Sequence, residues 1–140
     1  MFHIKDCPIR EEPLHLIPRS LRENFEEIYG LKVEGDLCPV CRHTLKEKYN
    51  NDYMSMDITQ SSFSVRGRRG VGVVPPMDAN SQDVTVLIGS EDISKLDLYS
   101  EDDPRVLSLN GAFNVGNRGI VEFVEVFKNE IEFLHTMITA

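Results

Sequence analysis

At 140 residues the chain is long enough for one domain, and a globular chain of that size buries roughly two thirds of the surface it exposes when unfolded. Its 41% hydrophobic and 27% charged residues are the balance of a folding sequence and exclude a disordered tail. A formal charge of -8 repels nucleic acid and anionic membranes, which excludes whole-surface binding to either; a phosphate partner must be met by a local basic cluster.

Residues 1–18 place Pro8, Pro13 and Pro18 around Leu14, Leu16 and Ile17, which predicts an irregular lead-in. The opening MFHIKDCPIREE lacks the basic, apolar and small-residue order of a signal peptide, and no run of about 18 apolar residues exists to span a membrane. The expected location is therefore the cytoplasm. From Arg19, the positions Leu21, Phe25, Ile28 and Tyr29 recur at helical spacing between Pro18 and Gly30, predicting an amphipathic helix closed by a left-handed cap. A short strand through Leu31 and Val33 is expected to lead to the turn Gly35-Asp36, and Cys38-Pro39-Val40-Cys41 opens a second helix towards Tyr49.

Met54, Met56 and Ile58 alternate with polar residues. Farther on, Phe63 and Val65, then Val71, Val73 and Val74, flank Arg66-Gly67-Arg68-Arg69-Gly70, which predicts two strands joined as a hairpin. Pro75 and Pro76 end the second strand. A polar connection leads to Val84, Val86, Leu87 and Ile88, then Gly89, a short helix around Ile93 and Leu96, and a loop over 99–105. Ile120, Phe123, Val124, Phe127, Ile131, Leu134 and Ile138 recur at helical steps, so much of 122–138 is expected to be helix.

Three stretches can carry chemistry. Cys38 and Cys41 have the CxxC spacing that lets two thiolates from one turn reach a tetrahedral zinc ion; Cys7 is the favoured third ligand, with His3, His15 and His43 as other candidates. The same cysteines also read as free thiols in a proline-containing turn, and their odd count suits a reducing compartment better than a disulfide framework. Arg66, Arg68 and Arg69 stand between glycines that would let backbone approach an anion, but the loop lacks the Lys and Ser/Thr of a GxxxxGK[ST] phosphate loop, and the favoured reading is a solvated hairpin tip. Glu122 and Glu125 follow the apolar pair Ile120-Val121, as carboxylates do at the end of a buried strand that serves magnesium and water; on a helix they would be its wet face. His135 reads as a packed or surface residue.

Taken in order, CPIREEPLHLIP at 7–18, EEIYGLKVEGDLCPVCRHTLKEKY at 26–49, SQDVTVLIGSEDISKL at 81–96 and SEDDPRVLSLNGAFNVGNRGIVEFVEVFK at 100–128 resemble the PrkA-type bacterial serine protein kinases. The resemblance implies an α/β fold, a partial P-loop AAA+ core without its Walker A segment, carrying helical and β-hairpin insertions. Residues 1–140 would be the central part of that domain, incomplete at both ends, in a longer cytoplasmic protein. It also implies ATP and magnesium as cofactors of the intact protein, a protein substrate, and homo-oligomerisation through the AAA+ domain, with no nucleic-acid or membrane partner.

NRGIVEFVEV at 117–126 resembles the AAA+ pattern of a small-residue turn, an apolar strand and an Asp-Glu pair. On that pattern Glu125 takes the catalytic glutamate's place, Glu122 is the second carboxylate, and Val124 stands where the magnesium-binding aspartate usually does. The family also often has a histidine where this chain has Arg10. The expected function is a Walker B-like contribution to ATP hydrolysis in an ATP-dependent serine protein kinase, this chain being inactive alone. The alternative is a zinc-stabilised CxxC module that presents the helix Arg19–Tyr29 to a protein partner without catalysis. A third reading is a structural segment that folds only inside its parent.

Overall fold

A computed structural model describes residues 1–76, 83–101, 103–128 and 131–139, with Lys128, Glu132 and Phe133 described by backbone alone. The expected single core is divided, because the chain forms two compact units, Met1–Ser61 and Ser62–Ala140.

In the first unit, β1 (Phe2–Ile4) and β2 (Ile58–Gln60) pair antiparallel, Phe2 opposite Gln60 and Ile4 opposite Ile58. This ties the two ends of the unit together, and the Met1 ammonium adds a bond to the Ser61 carbonyl at 2.6 Å. The lead-in is thus more ordered than its prolines suggest: one strand, then a 3-10 turn at Pro13–Leu16. The helix expected after Pro18 is α1 (Arg19–Tyr29), and Gly30 caps it at φ 65, donating its N–H to the Glu26 carbonyl. Only glycine takes that left-handed position without steric cost.

No strand forms through Leu31 and Val33; both belong to an irregular loop. Arginines fasten that loop instead of a ladder. Arg22 donates to the carbonyls of Ile17 at 3.0 Å and Gly35 at 2.6 Å, Arg42 donates to Leu37 at 3.1 Å, and Arg19 pairs with Asp36. The loop delivers Cys38 to the N-cap of α2 (Pro39–Tyr49), where Pro39 occupies the first turn, in which a missing N–H costs nothing. Met54 lies in a 3-10 turn, Tyr53–Ser55, so alternation becomes strand only at Ile58.

In the second unit, β3 (Val71–Val74) runs parallel to a strand far downstream. Between them come α3 (Thr85–Ile88), the short antiparallel pair β4 (Ser90–Glu91) and β5 (Leu107–Ser108), and α4 (Ala112–Val115). The distant strand is β6 (Ile120–Phe123), with Val71 opposite Ile120 and Val74 opposite Phe123. Val74, Leu87 and Ala112 form the buried centre, flanked by Phe113, Val121 and Phe123. Gly72 lets α4 approach the strand: a β-carbon there would lie 2.3 Å from the Ala112 carbonyl oxygen.

Four expectations are corrected here. The hairpin across the arginine loop shrinks to one antiparallel bridge, Ser64 with Arg69, and β3 takes β6 as its partner. Phe63 and Val65 are 53% and 62% exposed, so the first arm has no face to bury, whereas parallel pairing buries Val74 almost completely. The helix expected over 122–138 begins only with α5 (Ile131–Thr139); residues 120–123 are strand and Val126–Lys128 a 3-10 turn. Around Ile93 a 3-10 turn, Ile93–Lys95, replaces the expected helix, and Pro104–Val106 adds another inside the expected loop. Ser81 and Gln82 of the SQD segment lie outside the described residues.

Candidate functional site

The first unit gathers the three cysteines that the sequence scatters over two segments. Cys7 sits in a tight reversal in which Arg10 adopts φ 52 and donates its N–H to the Cys7 carbonyl at 3.2 Å. That reversal turns the next amide, Glu11 N–H, onto the Cys7 sulfur at 3.3 Å. Cys38 and Cys41 open α2, and Cys41 N–H points at the Cys38 sulfur, also at 3.3 Å. The sulfurs of Cys7 and Cys38 lie 4.0 Å apart, and all three thiols are free and buried.

Glu11 joins them, a residue that sequence reasoning missed because no spacing rule marks it. Its carboxylate is 2% exposed and accepts Cys38 N–H on both oxygens, at 2.8 and 3.0 Å. His15 also holds the carboxylate, Nδ1 to Oε1 at 3.0 Å. One potential ligand atom from each of Cys7, Glu11, Cys38 and Cys41 lies within 4.8 Å of all the others. His3 and His43 stay out of this group, as does Arg10. His3 is spent on the Ile4 carbonyl and the Ser61 hydroxyl, and His15 touches the group only through Glu11.

The cluster's electrostatics favour one negative sulfur. Hydrogen bonds from the Cys38 and Cys41 thiols, helped by backbone donors, bring Cys7 down to about 3 against the opposing effect of burial. Cys38 receives a lowering hydrogen bond from Cys41, but its bond to Cys7 and its burial prevail and push it up to about 12. Cys41 is raised as well, first by its bond to Cys38, then by Cys7 and by burial. A second and third thiolate therefore need a positive charge between them.

In the second unit, the strand-end carboxylates fall where the parallel pair ends. Val124 N–H donates to the Val74 carbonyl at 3.0 Å and extends the ladder one residue past β6. The chain then breaks at Glu125, whose φ of 55 is left-handed and uncommon for a residue with a side chain. Glu122 lies within β6 opposite Val73, on the exposed side; Val121 and Phe123 turn inwards. Val124 is half-buried, so the place of the usual magnesium aspartate is apolar. Among the described residues, no grouping of three or more metal-ligand side chains includes Glu122 or Glu125.

The arginine loop and His135 lie outside that four-residue group. Arg68 donates to the Asn110 carbonyl at 3.0 Å, the Ser64 hydroxyl accepts Gly67 N–H, and the arginine loop is thereby pinned within its own unit. His135 is exposed on α5. No helix among the described residues is long and apolar enough to cross a membrane.

A family model described as the PrkA AAA domain matches residues 1–140. The ATP-dependent protease PrkA of Bacillus subtilis (strain 168) is 41% identical over 135 residues, covering 96% of this chain and 21% of that protein. Serine/threonine kinase YeaG of Escherichia coli (strain K12) is 29% identical over 136 residues, covering 95% of this chain and 21% of that protein. The chain thus spans about a fifth of the length of these relatives. No solved structure matches it.

Proposed function

Because the chain belongs to the PrkA AAA domain family, we propose that it is part of the ATPase domain of an ATP-dependent serine protein kinase, with Glu125 acting on water. The observation that carries this reading is the break of β6 at Glu125: a parallel strand ends there, and its next-but-one residue is a carboxylate held in a left-handed turn. In open sheets with parallel strands, ligands bind outside the carboxyl ends of the strands. β3 and β6 are parallel, so both carboxyl ends open on the same side, β3 into Pro75-Pro76 and β6 into Val124-Glu125. A left-handed residue with a side chain costs roughly 1–3 kcal/mol, a cost that concentrates at functional sites.

The sequence contains no GxxxxGK[ST] loop, so these residues do not by themselves fit ATP. Magnesium, which would neutralise charge on the phosphates, would meet Glu122 and Glu125 among the described residues at this strand end, and the apolar Val124 is no ligand. The chain's own contribution is then the carboxylate of Glu125, which orients the attacking water or accepts its proton, with Glu122 as the second carboxylate. Such chemistry depends on positioning and electrostatic stabilisation. The protein substrate and a ring assembled through the AAA+ domain belong to the same proposal.

The relatives' names state two outputs, proteolysis and phosphorylation; ATP hydrolysis itself is the step proposed for Glu125 and is the one to measure. In the full-length parent, Glu125→Gln should lower ATP hydrolysis by about 10²–10⁴-fold, the range of a lost general base, while nucleotide affinity stays within about twofold. Glu122→Gln should have the smaller effect. Turnover that survives Glu125→Gln unchanged removes Glu125 from the role.

A further inference from the structure

We propose that Cys7, Cys38, Cys41 and Glu11 bind a structural zinc ion that holds the Met1–Ser61 unit together. Spacing is the first argument. A tetrahedral zinc with bonds of about 2.3 Å to sulfur keeps its sulfurs about 3.8 Å apart. The Cys7 and Cys38 sulfurs are 4.0 Å apart, a few tenths from that edge and about twice the length of a disulfide.

The donor set is the second argument. Thiolates with one carboxylate suit zinc, and soft sulfur ligands disfavour magnesium and calcium. Each paired element already aims an N–H at a sulfur: Glu11 at Cys7 and Cys41 at Cys38. These bonds, with the N-terminus of the eleven-residue α2, supply positive partial charge where thiolates would sit. Glu11 is oriented in the same way as a metal-bound carboxylate, by a backbone N–H and by His15. The thiols would ligate as thiolates, their protons passing to solvent.

The third argument is the core. Of the six buried residues at its centre, three are cysteine; Ile4, Leu16 and Met56 are the others. Units of this size commonly need a disulfide or a metal to supplement so small an apolar core, and these sulfurs are not bonded to one another. The ion completes the unit and takes no part in the chemistry proposed for Glu125.

The test uses the full-length parent, purified without a metal-binding tag. Zinc should survive dialysis, and absorption at the zinc edge should show three sulfurs at about 2.3 Å and one oxygen at about 2.0–2.2 Å. Cys38→Ser and Cys7→Ser should each lose about one equivalent relative to the wild type, whereas Glu125→Gln should keep it. If the cysteine variants do not fold, the coordination shell of the wild type decides alone. Absence of zinc, a shell without sulfur, or full zinc retention in both cysteine variants overturns the site without touching the ATPase reading.

Discussion

The two units solve the same problem of burial with different materials. The Ser62–Ala140 unit buries Val74, Leu87 and Ala112 against a parallel strand pair, and ordinary apolar packing accounts for it. The Met1–Ser61 unit gives half of its buried centre to cysteine and adds a buried carboxylate, a group that is costly to take out of water unless it is hydrogen-bonded or paired with a cation. The difference separates two proposed roles within one family domain. One unit carries the strand end proposed to act on water, and the other is built around four converging potential ligand atoms.

Metal removal is the strongest way to break this comparison. Structural zinc contributes about 10–16 kcal/mol in small zinc peptides, more than a small unit's entire stability. A strong chelator should therefore erase hydrogen-exchange protection across α2 and the β1–β2 pair, while amides of β3 and β6 keep theirs. Equal loss in both units would mean that they stand or fall together. No loss in either would mean that sulfur packing alone suffices.

Leu87→Ala makes the reciprocal test. Leu87 is fully buried, and truncation of such a leucine costs about 2–5 kcal/mol through lost burial and the cavity left behind. Exchange protection in β3, α4 and β6 should drop, with zinc content unchanged. A drop confined to α3, or zinc loss alongside it, would contradict the division.

What the sequence made legible follows the range of the interactions involved. α1 and α2 were readable because their signals are local: Pro18 and Gly30 bracket one, Cys38-Pro39 opens the other. Periodicity alone carries the expected helix into the end of β6, because Ile120, Phe123, Val124 and Phe127 fit a helical period, whereas the alternation of Val121 and Phe123 inwards with Ile120 and Glu122 outwards spans only four residues; the strand there was legible only from the pair Ile120-Val121 and the resemblance of 117–126. Its partner is β3, some fifty residues upstream, and no local window sees that pairing. The same distance hid the four-residue group proposed to bind zinc. CxxC announced two ligands and Cys7 was a reasonable third, but Glu11 becomes a ligand candidate only once the turn at Arg10 folds its carboxylate against Cys38 N–H.

The smallest expected effect is also the finest probe of the first unit. Gly30 closes α1 at φ 65, and a β-carbon added there would meet nothing within 4 Å, so Gly30→Ala carries a conformational cost without a clash. That cost is about 1 kcal/mol. α1 buries none of its residues, and Leu21, Ile28 and Tyr29 are 44%, 64% and 63% exposed, so its last turn has little packing to resist fraying. If the metal group is the keystone of the unit, Gly30→Ala should speed amide exchange in the last turn of α1 and leave zinc affinity unchanged. The reason is that α1 meets the cluster indirectly, through Arg19 and Arg22 on the loop that precedes Cys38 and through the Arg22 bond to the His15 carbonyl. A fall in zinc affinity of about fivefold, the whole of that cost, would show instead that the helix and the cluster fold as one, because the full local cost reaches the metal only if the two are completely coupled.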